Sequence, residues 1–311
     1  MKGHWGRRGV LCLVLAFCCT ACNGAAAPAE PPAAAVPTSS APQTTYTAPP
    51  LAENVFDEAA ATGADGVLID TSHTADGYVG ARATGGGRYK FQTVFGETKY
   101  NYDLPADGST QYYVLQSGSG SYTLRVLRNI TDNKYAEVCS AKADVALADE
   151  FRPVLHASQM VRNTADSACT ATAAALAADA PEAAGAVSAI YAYIRDNIDY
   201  DTEKAKTVQN GYLPDPDETL ATGRGICFDY AALAAAMLRS QGIPAKLITG
   251  YVSPDNIYHA WNMIWLDETG WITVSIEAPA DTWSRIDLTF AAGAGADFAG
   301  DGTGYTERYT Y

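Results

Sequence analysis

Short runs of alternating apolar and polar residues occupy the chain from about residue 66 to residue 138. They are rich in tyrosine and valine: Tyr89–Phe95, Lys99–Leu104, Gln111–Leu115 and Ser121–Leu127. Glycine-containing turn signals such as Gly85–Gly87 and Ser117–Gly120 separate them. Closely spaced short strands with such turns are typical of a small antiparallel β-sandwich, which we place at residues 51–140.

After about residue 140 the apolar positions recur at the spacing of a helix. Behind Pro181, one helical face carries apolar side chains: Val187, Ile190, Tyr191, Ile194 and Ile198. Because proline suits the first turn of a helix, we predict a packed surface helix here. A second helix, with Cys227 in its first turn, has its apolar residues at i, i+3, i+4, i+7 and i+8: Tyr230, Leu233, Ala234, Met237 and Leu238. Gly242 and Pro244 end this helix.

Strand patterns follow the second helix. Lys246–Val252 and His259–Leu266 are predicted strands, and Trp271–Glu277 is predicted to be the return strand of a hairpin. A further, mostly apolar run, Trp283–Phe290, contains one acidic residue. We assign these helices and strands to a second domain at residues 141–311.

The first 22 residues have the layout of a signal peptide. Positive charges at Lys2, Arg7 and Arg8 precede an apolar run that, at roughly ten residues, is too short to span a bilayer. The run ends in Cys-Thr-Ala-Cys at Cys19–Cys22, which resembles a bacterial lipobox, where the last cysteine is lipidated after cleavage. We therefore expect lipidation of Cys22 and an exported protein, held on the outer face of the cell membrane as a lipoprotein or secreted.

Composition and charge limit the kinds of partner that we expect for this protein. Residues 23–50 are almost entirely Ala, Pro, Thr, Ser and Gln, which cannot build a core, so we expect a disordered linker. The formal charge of the chain is −14, and it becomes about −17 once residues 1–22 are removed. Because so acidic a surface repels nucleic acid and anionic lipid, we expect no nucleic acid partner and membrane contact only through the lipid anchor. The sequence does not indicate the oligomeric state.

Cysteine placement points to a free thiol. Four of the seven cysteines lie in the targeting segment that ends at Cys22, and three others remain in the mature chain: Cys139, Cys169 and Cys227. An odd number in an exported protein indicates at least one free, reactive thiol. A disulfide between Cys139 and Cys169 is conceivable.

Cys227 is the candidate nucleophile. In the first turn of a helix, unpaired backbone N–H groups and the positive end of the helix dipole favour a thiolate, while the alternative is a buried structural thiol. Gly223 and Gly225 allow a sharp bend and leave space for a substrate backbone. A nucleophilic cysteine needs a base, and His259 lies in the right region. The mature chain has two other histidines, both outside this region: His73 and His156.

Short motifs follow one another in this region in a specific order. They are Gly225–Ala231, Gly242–Ala245, Gly250–Val252, His259–Asn262 and Trp283–Thr289. These motifs, from about residue 185 to residue 290, resemble those of the transglutaminase-like superfamily. The resemblance implies a papain-like α+β fold in which a cysteine at a helix N-terminus faces a histidine and an aspartate on adjacent antiparallel strands. It makes Cys227 the nucleophile, His259 the general base and Asp287 the orienting carboxylate.

The position of the aspartate departs from the usual spacing. Counting from Trp271 as in many relatives leads to Ser275, which is not an acid. We interpret residues 267–282 as a lengthened hairpin, because Trp283–Thr289 restores the tryptophan, aspartate and threonine pattern, with Leu288 where proline is usual. Two other acidic residues remain alternatives for this position: Glu277 and Asp281.

The function implied by the resemblance is that of an extracytoplasmic cysteine enzyme acting on peptide or glutamine amide bonds through an acyl-thioester, with cross-linking or hydrolysis as the outcome. Its partner would be a protein or peptide substrate, including one associated with the cell wall, and no cofactor or metal is implied. Asp229 and Asn262 belong to the motifs, but capping a helix or holding a strand explains them equally well. The alternative function is a catalytically inactive surface lipoprotein that serves as a binding or scaffold module.

Overall fold

The computed structural model describes residues 45–253, 257–274 and 305–311. The predicted signal peptide with Cys22 and the linker up to residue 44 lie outside these residues. Within them, no helix is long and apolar enough to cross a bilayer. The domain bounds given above stay predictions.

Two antiparallel sheets form the first part of the described chain. Their strands are β1 Thr62–Ala64, β2 Val67–Asp70, β3 Tyr78–Ala83, β4 Tyr89–Phe95, β5 Thr98–Leu104, β6 Gln111–Val114, β7 Gly120–Thr131 and β8 Lys134–Val145. One sheet has the order β1-β2-β3-β6 and the other the order β5-β4-β7-β8. Between the sheets, the ring of Phe91 stacks on that of Tyr113 with centroids 4.2 Å apart. The predicted antiparallel β-sandwich is confirmed.

Helices dominate the next part of the chain. Within the described residues they are α1 Ala168–Ala177, α2 Ala183–Asn197, α3 Thr202–Thr207, α4 Pro216–Thr222 and α5 Cys227–Ser240, with short 3₁₀ turns at Thr74–Asp76 and Arg152–Val154. α2 is the helix predicted behind Pro181, and it buries Ile190 and Ile194 as expected. α5 begins at Cys227 but is buried on every side from Asp229 to its end, rather than on one face. Its many alanines allow other helices and a sheet to pack closely around it.

A third antiparallel sheet follows α5. Its strands are β11 Ala245–Val252, β12 Ile257–Leu266, β13 Gly270–Val274 and β14 Tyr305–Thr310, in the order β13-β12-β11-β14. The strands predicted from Lys246 and from His259 are β11 and β12, and β13 belongs to the predicted return strand. β14 was not predicted. The run Trp283–Phe290 lies outside the described residues. Together the helices and antiparallel sheets confirm the α+β fold class.

A pair of very short strands leads into α5. β9, Asp199–Tyr200, and β10, Arg224–Gly225, run parallel to each other. This pairing fixes the chain directly before Cys227 against the chain directly after α2.

The last turn of α5 is held by the buried side chain of Arg239. Its guanidinium donates hydrogen bonds to the carbonyl oxygens of Ala245 at 2.9 Å, His156 at 2.8 Å and Tyr311 at 2.9 Å. These acceptors lie at the start of β11, in the segment between the sandwich and α1, and directly after β14. One arginine therefore joins α5 to three separate parts of the chain.

Candidate active site

Glycines shape the turn that delivers Cys227. Gly223 ends α4 in the left-handed conformation, with a φ of 63° that favours glycine. The backbone N–H of Asp201 then donates to the carbonyl of Gly225 at 2.8 Å. A Cβ at Gly225 would lie 2.7 Å from the Cβ of Asp229. Gly225 therefore makes room for the side chain of Asp229, and the space for a substrate backbone stays a prediction.

Asp229 closes the start of α5. Its Oδ2 accepts a hydrogen bond from the backbone N–H of Ile226 at 2.8 Å, and its side chain is fully buried. A carboxylate at the third helical position that bonds back to the N-cap residue is half of a capping box. Cys227 is consequently the first residue of the helix, where backbone N–H groups have no partner within the helix.

The thiol of Cys227 lies against the backbone of β12. The backbone N–H groups of Ala260, of Phe228 and of Cys227 itself lie close enough to the sulfur to favour its negative form. Burial nevertheless raises the pKa of the Cys227 thiol above its ordinary value, although these N–H groups counteract the effect, and the nearby charge of Asp229 raises the pKa further. Cys227 is therefore a neutral thiol near pH 7, because desolvation outweighs the help expected from the helix start.

β12 carries His259 directly before Ala260, whose backbone lies close to the thiol. In the antiparallel ladder His259 pairs with Gly250 of β11. Burial lowers the pKa of His259 below its ordinary value, so the imidazole is neutral near pH 7 and can accept a proton. The structure thus brings Cys227 and the strand segment that carries His259 together.

The third predicted member of the site cannot be placed in the same way. Asp287 and its alternatives Glu277 and Asp281 lie outside the described residues. The assignment of an orienting carboxylate therefore stays a prediction.

Asn262 holds β12 on its neighbours. Its Nδ2 donates to the carbonyl of Ala231 in α5 at 2.9 Å and to that of Lys246 in β11 at 3.2 Å. Its Oδ1 accepts a hydrogen bond from the hydroxyl of Tyr191 in α2 at 3.2 Å. All polar atoms of this side chain are thereby used inside the core, which favours the strand-holding role left open by the motif.

Three side chains near Cys227 were not predicted. Lys204 and Tyr212 both contact Asp229, at 2.8 Å and 2.6 Å. Tyr200 lies close enough that the charges of Cys227 and Asp229 both raise its pKa, after the larger effect of burial. They come from the polar stretch between α2 and α4, where no apolar periodicity marks them. Tertiary contacts alone bring them to the site.

The other thiols of the described chain are not part of this site. Cys139 and Cys169 are both free, so the conceivable disulfide between them is not formed. Burial raises the pKa of Cys169 to about 12. Among the described residues, no three histidine, cysteine or carboxylate side chains are grouped as metal ligands.

Comparison with known proteins shows similarity in the segment that holds the site. Residues 170–276 match the family model of the transglutaminase-like superfamily. Over 65 residues the chain is 37% identical to a protein-glutamine gamma-glutamyltransferase of Pseudomonas aeruginosa, which covers 17% of this chain and 10% of that protein. Over 87 residues it is 31% identical to a UPF0252 protein of Methanocaldococcus jannaschii, with 25% of each chain covered. The matches thus span a quarter or less of the length of these relatives.

A solved structure is similar over a longer stretch. It is a candidate cysteine protease from Cytophaga hutchinsonii, with 14% sequence identity, a TM-score of 0.37, and coverage of 67% of this chain and 70% of that chain. A likeness of this strength carries no argument about activity.

Proposed function

Residues 170–276 of this chain belong to the transglutaminase-like superfamily, and from this premise we propose that the protein is a cysteine enzyme acting on peptide or glutamine amide bonds through an acyl-thioester. The observation that supports the proposal most directly is the closeness of the Ala260 backbone to the thiol of Cys227, where it acts to lower the thiol pKa. Because Ala260 follows His259 in β12, this contact supports a nucleophile paired with a base from the adjacent strand.

In the proposed first half-reaction, the neutral imidazole of His259 takes the thiol proton of Cys227, and the thiolate attacks the carbonyl carbon of the amide. The C–N bond breaks as His259 returns the proton to the leaving amine or ammonia, and the acyl group stays on Cys227 as a thioester. The backbone N–H of Cys227, in the first turn of α5, is the proposed donor to the tetrahedral oxyanion.

In the proposed second half-reaction, a water molecule or a lysine amine attacks the thioester while His259 accepts its proton. The C–S bond breaks, and the sulfur recovers the proton from His259. Water gives hydrolysis, and an amine gives a cross-link. We propose that Asp287 orients His259 and stabilises its protonated form in both halves.

We further propose that the protein works outside the cytoplasm. The support is the sequence of residues 1–50, which has the layout of a signal peptide that ends in a lipobox-like motif at Cys22 and is followed by a linker. The proposed substrate is a protein or peptide, including one associated with the cell wall.

One observation favours the alternative, an inactive scaffold or binding module. Burial raises the pKa of Cys227 and lowers that of His259, so the resting pair is neutral rather than a preformed thiolate and imidazolium. An enzyme with this pair must transfer the proton when substrate binds, whereas a scaffold has no need to.

Incubation with a glutamine-containing protein and a primary-amine probe separates the two functions. We expect the wild-type protein to attach the probe or to release ammonia or cleaved peptide, and the Cys227→Ala variant to do neither. Cys139→Ala is the matched control, because it removes another free thiol from β8 of the sandwich and should keep full activity. Equal, background-level signals from the wild type and Cys227→Ala would support the scaffold.

The same assay tests the orienting carboxylate. Asp287→Asn should lower kcat by about 10³- to 10⁴-fold, as expected when the catalytic base loses its tautomer and orientation. Glu277→Gln and Asp281→Asn serve as its comparison variants. If one of these two abolishes turnover and Asp287→Asn does not, the assignment of Asp287 is wrong.

A further inference from the structure

A partly buried polar cluster lies at the first turn of α5. It consists of Asp229, Lys204 and Tyr212, which we call the Asp229 cluster. Nζ of Lys204 lies 2.8 Å from Oδ2 of Asp229 and donates to the hydroxyl oxygen of Tyr212 at 2.7 Å. The Tyr212 hydroxyl donates in turn to Oδ1 of Asp229 at 2.6 Å. The carboxylate is fully buried, and the side chain of Lys204 is 29% exposed.

The position of Lys204 is fixed relative to the nucleophile. Lys204 belongs to α3, whose start is capped by Asp201 through a hydrogen bond from the N–H of Lys204 at 2.9 Å. Asp201 in turn donates its backbone N–H to Gly225, two residues before Cys227. Lys204 and Cys227 therefore both lie a few residues after the paired strands β9 and β10.

The negative charge of Asp229 and the positive charge of Lys204 have opposite effects on the ionisation of Cys227. Asp229 disfavours a negative charge on Cys227, and a cation paired with the carboxylate reduces that effect. Although burial acts in the other direction, the hydrogen bonds to Asp229 and Tyr212 raise the pKa of Lys204, so the amine stays protonated. Burial and the bond to Asp229 raise the pKa of Tyr212 to about 12, so the phenol stays a donor.

Neighbouring elements also carry titratable groups. They are Tyr200 of β9, His259 of β12, and an ion pair between Arg224 and Asp201 at 3.7 Å. Of these, Arg224 already has a carboxylate partner, and Tyr200 is neutral because burial raises its pKa. Lys204 is thus the cation that contacts Asp229.

We propose that Lys204 is a positioning residue for Cys227, because it holds the Asp229 carboxylate in its bond to the Ile226 N–H and offsets the carboxylate charge where the thiolate must form. Tyr212 supports it by occupying the second carboxylate oxygen. The inference rests on the proposed role of Cys227 as the nucleophile, and it assigns the control of that nucleophile to a lysine outside the motifs.

The rate of Cys227 alkylation by iodoacetamide, measured against pH, reads out thiolate formation without any substrate. Because Cys139 and Cys169 are also free thiols, the Cys227 peptide is followed by mass spectrometry. In Lys204→Met, we expect the midpoint of the profile to move up by about one pH unit, with about tenfold slower alkylation below it. The plateau rate at high pH should stay the same, since the variant changes ionisation and not access.

Two lysine variants serve as controls. Lys204→Arg keeps the charge and should stay within about twofold of the wild-type rate. Lys206→Met removes the same charge from the same helix, but Lys206 is 68% exposed and paired with Glu203 at 2.9 Å, so its profile should match the wild type. If the Lys204→Met midpoint coincides with that of Lys206→Met, the inference is overturned.

Two further variants keep the result unambiguous. Tyr212→Phe removes only a hydroxyl and should shift the midpoint in the same direction by less, which tests the cluster even if Lys204→Met does not fold. An unshifted Tyr212→Phe profile then overturns the inference. Cys227→Ala in the amine-probe assay tests the proposed function separately, because background-level signals from both this variant and the wild type remove support for the enzyme while the Lys204 shift remains.

Discussion

Replacing Asn262 by alanine should destabilise the protein strongly, because this buried side chain joins three elements. Its amide donates to carbonyl groups in α5 and β11 and accepts from a hydroxyl in α2. The side chain is 3% exposed, so water does not replace these partners. Asn262→Ala therefore removes three hydrogen bonds and leaves the Tyr191 hydroxyl buried without its acceptor.

The expected magnitude follows from counting these groups. A hydrogen bond contributes about 0.5–1.5 kcal/mol, and a buried polar group left unpaired costs about 1–3 kcal/mol. The two carbonyls belong to a helix and a strand and keep other backbone partners. Losing their hydrogen bonds to Asn262 should therefore cost an amount near the lower end of the range for a hydrogen bond. We expect a decrease of about 3 kcal/mol in the free energy of unfolding. Tyr191→Phe alone should cost about 1–2 kcal/mol, and little more when it is added to Asn262→Ala.

Urea denaturation followed by tryptophan fluorescence measures these changes. Asn101→Ala is a matched control, because Asn101 is exposed on β5 and only pairs with Gln92 at 2.8 Å. That control should lie within about 0.5 kcal/mol of the wild type. If Asn262 acted only in the active site, Asn262→Ala would give the opposite pattern, in which stability hardly changes and amine incorporation is lost. That outcome would refute the structural account.

Two further predictions concern stability. Burial raises the pKa of Cys169 to about 12, so the folded chain keeps this proton at a pH where the unfolded thiol, near pH 8.5, has lost it. Stability should therefore fall above about pH 8.5, by up to about 1.4 kcal/mol per pH unit, and urea titrations of Cys169→Ala should show a shallower fall; an equal slope would contradict this. In Gly250→Ala, a Cβ would lie 2.1 Å from the carbonyl oxygen of Thr306 and 2.8 Å from Trp261. We expect this variant to lose at least about 2 kcal/mol and to melt several degrees lower, and an unchanged Tm would show that β14 yields easily.

Sequence patterns were sufficient for the elements whose large side chains alternate or repeat. Four strands of the sandwich, β4 to β7, were predicted together with α2, β11 and β12 because each buries one face against a core. α5 was predicted as a helix but not as a fully buried one, since alanine is small enough for either environment. β14 carries three exposed residues, Thr306, Glu307 and Arg308, and its pattern does not distinguish a strand from a loop.

The candidate site was predictable only where local geometry sets it. The first turn of α5 and the pairing of β11 with β12 follow from short-range patterns, so Cys227 and His259 could be selected. The ionisation of Cys227 could not, because depth of burial depends on elements far apart in the chain. Lys204 could not be selected for the same reason, because its proposed role depends on a contact with Asp229, which lies 25 residues later in the sequence.

The hydrogen bonds of Arg239 bear on what can be cut from this protein. One of its three acceptors, the carbonyl of His156, precedes the segment 170–276 that family similarity marks out. A fragment restricted to that segment would carry an arginine in its core with two of its three acceptors missing, and an incompletely paired buried charge costs several kcal/mol. We expect such a fragment to aggregate or to unfold. We therefore expect autonomous folding to need more of the chain than residues 170–276.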